Sequence, residues 1–211
     1  MDGILPGINT VNVTGTAIDT EGNEYYLNGS VVNQGIFQEG SSLNLTVKGL
    51  KISPLVFKEI YYACSRTPLN KSYIYEQFYE VYNNSSSILY LDGIHFANLY
   101  PDKSSTKLPL WPEEDGDDYI YALRVWKFPG NGKDYPLQPG ESCVIAQFAV
   151  NHQLDIYNPA SPVDNSSADF EFYMDNANYT NAPAPDMEHV FYEGKAEKGK
   201  LKQYLTTVFG G

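Results

Sequence analysis

The chain has 211 residues, of which 42% are hydrophobic and 14% aromatic, with 18 tyrosines and 10 phenylalanines; that composition excludes a disordered chain and favours strands. Its 26 acidic against 14 basic residues leave a formal charge of −12, which excludes nucleic acid as a partner because phosphate recognition needs a concentrated basic surface. The two cysteines, Cys64 and Cys143, exclude a disulfide framework and a thiolate zinc site while leaving one disulfide open.

At the N-terminus Met1-Asp2-Gly3 lacks the charged and apolar regions of a signal peptide, and Ile4 to Val13 runs directly into a strand pattern. Val11, Val13 and Ala17 alternate with Asn12, Thr14 and Thr16, and Leu43, Leu45 and Val47 alternate with Asn44, Thr46 and Lys48. This period of two predicts half-buried strands. Thr20-Glu21-Gly22-Asn23 and Glu39-Gly40-Ser41 predict turns, with a further strand over Glu24 to Leu27. So few strands bury little surface, so residues 1–52 read as an incomplete sandwich or as strands leaning on the next domain.

Ser53-Pro54 marks the expected boundary, since proline removes a ladder donor. A second domain then spans 53–211. Leu55 to Ala63 is apolar at alternate and intervening positions, which predicts a strand covered on both faces. Gln77 to Tyr82 and Ile88 to Leu91 predict two strands joined as a hairpin by the polar run Asn83-Asn84-Ser85-Ser86-Ser87. Further strands are expected at Ile94 to Leu99, Tyr119 to Trp126, Cys143 to Val150 and Phe170 to Met174. No strong helix is expected, and many short strands between turn signals predict a sandwich or barrel. No run of about 18 apolar residues occurs, so no transmembrane helix is expected. The lysines Lys195, Lys198, Lys200 and Lys202 read as a solvated tail, and Phe209-Gly210-Gly211 stops without a closing element, as if the chain were trimmed at both ends.

For chemistry the chain offers little. Its three histidines, His95, His152 and His189, accompany no nucleophile motif, and His95 reads as a surface residue alternating outward from a strand. No catalytic residue is therefore expected. Glu113, Glu114, Asp115, Asp117 and Asp118 crowd around Gly116, and hard oxygen ligands on a turn suit calcium, although the spacing is not that of an EF-hand loop. A solvated charge run is the competing reading. Trp111, Tyr119, Tyr121 and Trp126 flank that loop as candidate ligand-contacting aromatics, because sugar rings and peptides stack on such side chains.

Lys58-Glu59-Ile60-Tyr61-Tyr62, Tyr79-Glu80-Val81-Tyr82-Asn83-Asn84, Leu89-Tyr90-Leu91-Asp92-Gly93 and Leu137-Gln138-Pro139-Gly140-Glu141 resemble, in order and spacing, the strand ends and turns of lamin-tail-like domains. With Ser65-Arg66-Thr67-Pro68, Asn158-Pro159-Ala160-Ser161-Pro162-Val163-Asp164 and Ala168-Asp169-Phe170-Glu171, the chain looks more closely like a family of unknown function among Bacteroidetes cell-surface lipoproteins. The resemblance implies an all-β fold, an immunoglobulin-like, lamin-tail-like sandwich preceded by the last strands of a regulatory-like β domain. It implies an extracytoplasmic, outer-membrane or cell-surface location through a lipid anchor on a longer parent chain. On that basis the expected function is a non-catalytic, surface-exposed binding domain, accessory to outer-membrane nutrient uptake, with an unidentified small ligand, glycan or protein as partner. An adhesion or structural module contacting proteins is the alternative, and a metal-assisted hydrolase the third.

Overall fold

A computed structural model of the chain describes residues 5–38, 42–99, 118–177 and 180–192. Among them the protein is all-β, with fourteen strands and no helix. The chain divides into two compact units, Met1–Pro54 and Leu55–Gly211.

The first unit is an antiparallel meander of β1 (Gly7–Ile18), β2 (Glu24–Ile36) and β3 (Lys48–Lys51) in that order. Asp19 closes the first turn. Its carboxylate accepts from the backbone N–H of Glu21 at 2.9 Å and of Asn23 at 2.8 Å, and from the Asn23 side-chain amide at 2.8 Å, while Gly22 supplies φ +86°. Led by the Asn23 side chain, these donors hold the Asp19 carboxyl down at about 2. The strand expected over Leu43, Leu45 and Val47 is displaced. Residues 42–47 run outside the ladder, with Leu45 and the Thr46 carbonyl where a Cβ on Gly29 would sit, and pairing with β2 begins only at Lys48. Alternation reports that a segment has two faces; it does not report a bonded neighbour.

The second unit begins with β4 (Leu55–Tyr61), β5 (Ser65–Arg66), β6 (Ser72–Tyr73), β7 (Phe78–Asn83), β8 (Leu89–Tyr90) and β9 (His95–Leu99). It continues with β10 (Ala122–Lys127), β11 (Pro136–Leu137), β12 (Ser142–Ala146), β13 (Phe170–Glu171) and β14 (Glu188–Tyr192). These form a sheet in the order β13-β12-β7-β4, a second in the order β14-β10-β9, the pair β11-β8 and the hairpin β5-β6. On β7 the alternation is complete: Tyr79, Val81 and Asn83 are buried while Phe78, Glu80 and Tyr82 are half-buried on the outer face. Tyr79 meets Phe96 of β9 with ring centroids 5.0 Å apart, and Phe172 bridges Phe96 at 5.6 Å and Trp126 of β10 at 5.2 Å. An aromatic core thus joins the two sheets in a sandwich-like arrangement.

Three of the sequence motifs have local physical roles. Asn83 ends β7, and its amide donates to the carbonyls of Ser87 and Leu137, both at 2.8 Å, while its Oδ1 accepts from Ser85 N at 3.0 Å. In the Leu137-Gln138-Pro139-Gly140-Glu141 run, Gly140 at φ +81° turns the chain, Glu141 N donates to the Gln138 carbonyl at 3.0 Å and Gln138 N to the Glu141 carboxylate at 2.8 Å. Asp92 gathers the N–H groups of Gly132, Asp134 and Tyr135 at 3.0, 2.8 and 2.9 Å. Burial alone would raise its carboxyl, but these backbone donors together hold it below the usual carboxylate range. Gly130 sits beside it at φ +111°, and a Cβ there would run into the Asp92 carboxylate. Gly130→Ala is therefore expected to destabilise the unit by about 1–3 kcal/mol, read as a lowered midpoint in chemical denaturation.

Several expectations are corrected. The segment beginning at Leu55 is not covered on two sides: β4 is the end strand of its sheet among the described residues, with Phe57 and Ile60 exposed. Its apolar content reflects Phe57, which leans over the core onto Tyr79 and Phe96. The polar run at 83–87 is not a hairpin, because β7 pairs with β4 and β12 whereas β8 pairs with β11. Cys64 and Cys143 are both free thiols. The pull of β12 into the core buries Cys143, and burial pushes its thiol far above the ordinary range, so it is held as an unreactive apolar side chain.

Candidate functional site

Of the expected site residues only Asp118, Tyr119, Tyr121 and Trp126 fall among the described residues. Trp111, Glu113, Glu114, Asp115 and Asp117 lie outside the described residues. Asp118 and Tyr119 are exposed and Tyr121 is half-buried. Trp126, expected as a ligand-contacting ring, is fully buried: its indole N–H points at the Met174 sulfur at 3.2 Å and its ring packs on Phe172. Inward alternation on β10 makes it a core residue. Among the described residues no group of three or more His, Cys, Asp or Glu side chains is placed to hold a metal ion. The histidines occupy different elements, with His95 on β9, His189 on β14 and His152 in the loop after β12.

What the fold does assemble is a buried polar cluster. Glu76, just before β7, is fully buried. Its Oε1 accepts from Ser65 N at 2.6 Å, and its Oε2 accepts from the Ser65 hydroxyl at 2.8 Å and from the Ser161 hydroxyl in a very short hydrogen bond. Asn158 donates to Ser65 Oγ at 2.7 Å, and Asn165 donates to the Glu76 backbone carbonyl at 3.2 Å. The β5–β6 hairpin and the 151–169 loop are thereby stapled to one carboxylate. A fully satisfied buried network of this kind rigidifies whatever it joins.

His152 adds a second staple. Its Nε2 lies 3.1 Å from the Phe148 carbonyl, which can only accept, so Nε2 carries the hydrogen and Nδ1 accepts from the Tyr73 hydroxyl at 2.8 Å. Burial, led by loss of solvent, holds the imidazole below its ordinary pKa and therefore neutral, against the smaller opposing pull of Phe148, Glu76 and Asp164. The sign follows. An unfolded histidine takes up a proton near pH 6.5 while the folded one does not, so stability is full above that pH and falls as pH drops toward the folded value. Glu171 works the other way, since burial raises its carboxyl. The contribution is isolated by comparing wild type with His152→Gln between pH 7.5 and 5.5. The wild-type unfolding free energy is expected to fall more steeply, by up to about 1.4 kcal/mol per pH unit, and equal slopes would count against a buried neutral histidine.

Serine, histidine and carboxylate all occur here, but their wiring is not that of a nucleophilic triad. Glu76 bonds the serines directly, and His152 bonds a tyrosine and a backbone carbonyl, so no proton path leads from a serine through the imidazole. The cluster is a clamp. Glu171 is a second buried carboxylate that staples backbone in a similar way. It accepts from Ala149 N at 3.0 Å and Ala182 N at 2.7 Å, tying the segment before β14 to the end of β12.

The clamp shapes an open cleft of about 390 Å³ on the outer face of the β12-β7-β4 sheet. Tyr61, Phe78 and Val144 form its floor, and Pro162, Val163, Asp164, Asn165, Ser167 and Ala168 its wall. Tyr61 and Phe78 are direct cross-strand partners whose rings stack at 5.3 Å with planes 6° apart. Glu59 and Asp164 stand on the rim, and Asp164 is turned by accepting from Ser166 N at 3.0 Å. Beyond the cleft on the same face, Lys58 pairs with Glu80 at 2.7 Å and reaches Ser142 Oγ at 3.2 Å. A second depression of about 540 Å³ lies over β11 and β12, but the buried Cys143 and Leu137 below it belong to the core.

Neither Tyr61 nor Phe78 stands out in the sequence as a ligand contact. The signal that exists is the resemblance carried by Ser65-Arg66-Thr67-Pro68, Asn158 to Asp164 and Ala168 to Glu171, which are the segments that meet at the clamp and the cleft wall. Residues 138–211 match the model of a family described as a protein of unknown function, DUF4876. This stretch is similar to the DUF4876 family. The cleft wall and the Ser161, Asn158 and Asn165 members of the clamp lie inside the matched stretch, whereas Ser65, Tyr61 and Phe78 precede it. The whole chain is also similar to the crystal structure of a DUF4876 family protein from Bacteroides thetaiotaomicron VPI-5482, with 65% identity and a TM-score of 0.75 over 100% of this chain and 54% of that one. The chain thus spans about half the length of that DUF4876 relative. No curated protein matches the chain.

Proposed function

We propose that this chain is a non-catalytic, surface-exposed binding domain of a bacterial lipoprotein, accessory to outer-membrane nutrient uptake, and that it holds its ligand in the Tyr61–Phe78 cleft. The observation that carries the reading is the pairing of an open aromatic floor with a wall fixed from behind by the Glu76 clamp. A preformed concavity with a few convergent polar groups is what a small-ligand site requires, and a rigid wall spares the ordering cost of binding. The resemblance to lamin-tail-like surface lipoproteins is what supports a cell-surface, extracytoplasmic placement, in which residues 1–52 close a preceding domain and the lipid anchor belongs to a longer parent chain. The test is a panel of glycans and small metabolites against the purified chain, followed by the ring resonances of Tyr61 and Phe78. Saturable shifts that disappear in Tyr61→Ala are expected. A panel that leaves both rings unmoved would retire the reading.

A second reading has its own support. Ile8, Ile18, Val32 and Leu50 are each more than 60% exposed on the first unit's sheet, and apolar side chains so displayed suit an adhesion or structural module that contacts proteins.

A further inference from the structure

The charge of the cleft is one-sided. Among the described residues its lining carries two carboxylates, Glu59 and Asp164, and no lysine or arginine. The basic residue adjacent in sequence, Lys58, is committed to Glu80 and Ser142. Hydrogen bonds from the Ser166 side chain and backbone, in that order, hold the Asp164 carboxyl below its ordinary range, so it stays ionised. The chain's formal charge of −12 adds a long-range field of the same sign.

The form of the occupant is narrowed by β4. An end strand invites a peptide to add to the sheet, but here the register slips between Phe57 and Glu59, with the charged Lys58 as the extra residue and Glu59 beside it. A bulge with charges on it is how an edge is blunted against strand addition. An occupant of this cleft therefore sits on the side chains and does not zip along the strand.

Resting on the binding reading above, we propose that the cleft takes a small organic cation. It is a protonated amine on a saturated ring or chain, with its apolar face on the Tyr61–Phe78 pair and its ammonium group paired by Glu59 and Asp164. Each contribution is modest by itself. An exposed ion pair is worth little in water and an exposed cation–aromatic contact only somewhat more, so selectivity arises because one ligand collects all of them. A neutral ligand forfeits the ionic share and an anion is repelled.

Amino sugars and aliphatic amines share this chemistry, and the test separates them. Glucosamine, cadaverine and N-acetylglucosamine are titrated into the full chain while the Tyr61 and Phe78 ring resonances are followed, at low and at high salt. Glucosamine or cadaverine is expected to shift both rings, with N-acetylglucosamine at least about tenfold weaker and the binding weakened by salt. Response to glucosamine alone identifies an amino sugar, and response to cadaverine alone an aliphatic amine. Glu59→Gln and Asp164→Asn are each expected to weaken binding about threefold; both positions are exposed, and unchanged thermal melts would show the fold intact. N-acetylglucosamine binding as tightly as glucosamine would overturn the cation proposal and leave the binding reading standing. No ring shift with any of the three would also overturn it, and the binding reading would then rest on the wider panel.

Discussion

Replacing Glu76 with alanine is expected to lower the unfolding midpoint of the 55–211 unit by on the order of 10 °C. The substitution removes the common acceptor of Ser65 N, Ser65 Oγ and Ser161 Oγ and leaves those donors facing each other in a site closed to water. Unmade buried hydrogen bonds cost about 1–3 kcal/mol each, and these share one site, so about 3–5 kcal/mol is expected for the whole clamp. At about 2–4 °C per kcal/mol for a unit of this size the shift is easily read by circular dichroism. Ser161→Ala alone removes one donor and costs about 1–2 kcal/mol. Because both changes act on one network, the double variant is expected to fall well short of the sum. Hydrogen exchange supplies the local readout: amides of the 158–165 loop should lose protection in Glu76→Ala before those of β7 do. A midpoint that moves by less than one or two degrees would show that the clamp does not hold the wall.

The second large effect separates two aromatic residues that the sequence presents as equivalent. Trp126→Ala empties the space between Met174 and Phe172 at the centre of the aromatic core, and truncating a buried tryptophan costs about 3–5 kcal/mol. Tyr119→Ala removes a ring that is 57% exposed, and a change of within about 0.5 kcal/mol is expected. Denaturant titrations of both variants check the contrast directly. Equal effects would mean that β10 does not face inward as described.

The fold class was legible because its signal is local. Alternation along Phe78 to Asn83 and along Ser142 to Ala146 places Tyr79, Val81, Cys143 and Ile145 on one face whichever strands they pair with. Turn chemistry was legible for the same reason: Gly22 and Gly140 act through neighbours a few residues away or through their own backbone angles. The run at 83–87 shows the limit. Its polar composition marks a loop correctly, yet a hairpin and a crossing between sheets have the same composition, and only the partners of β7 and β8 distinguish them.

The candidate site was illegible at the level of single residues. The acidic and aromatic run around Gly116 stands out because its charges are contiguous, whereas the clamp gathers Ser65, Glu76, His152 and Ser161 from positions with no periodic relation. A glutamate is read from sequence as a solvated charge, and only burial beside donors from another segment makes Glu76 an anchor.

By itself, then, the sequence determined that the chain is strand-rich, that a turn falls at Thr20 to Asn23 and which side chains of β7 and β12 share a face, because these depend on backbone preference and a period of two, while the turn expected at Glu39-Gly40-Ser41 lies outside the described residues. Tertiary structure decided that β4 stands at the edge, that Trp126 is core, and that the 151–169 loop is pinned over the outer sheet face to make a cleft. Those outcomes depend on long-range pairing and on loss of water, and neither leaves a mark on the residues nearby in the chain.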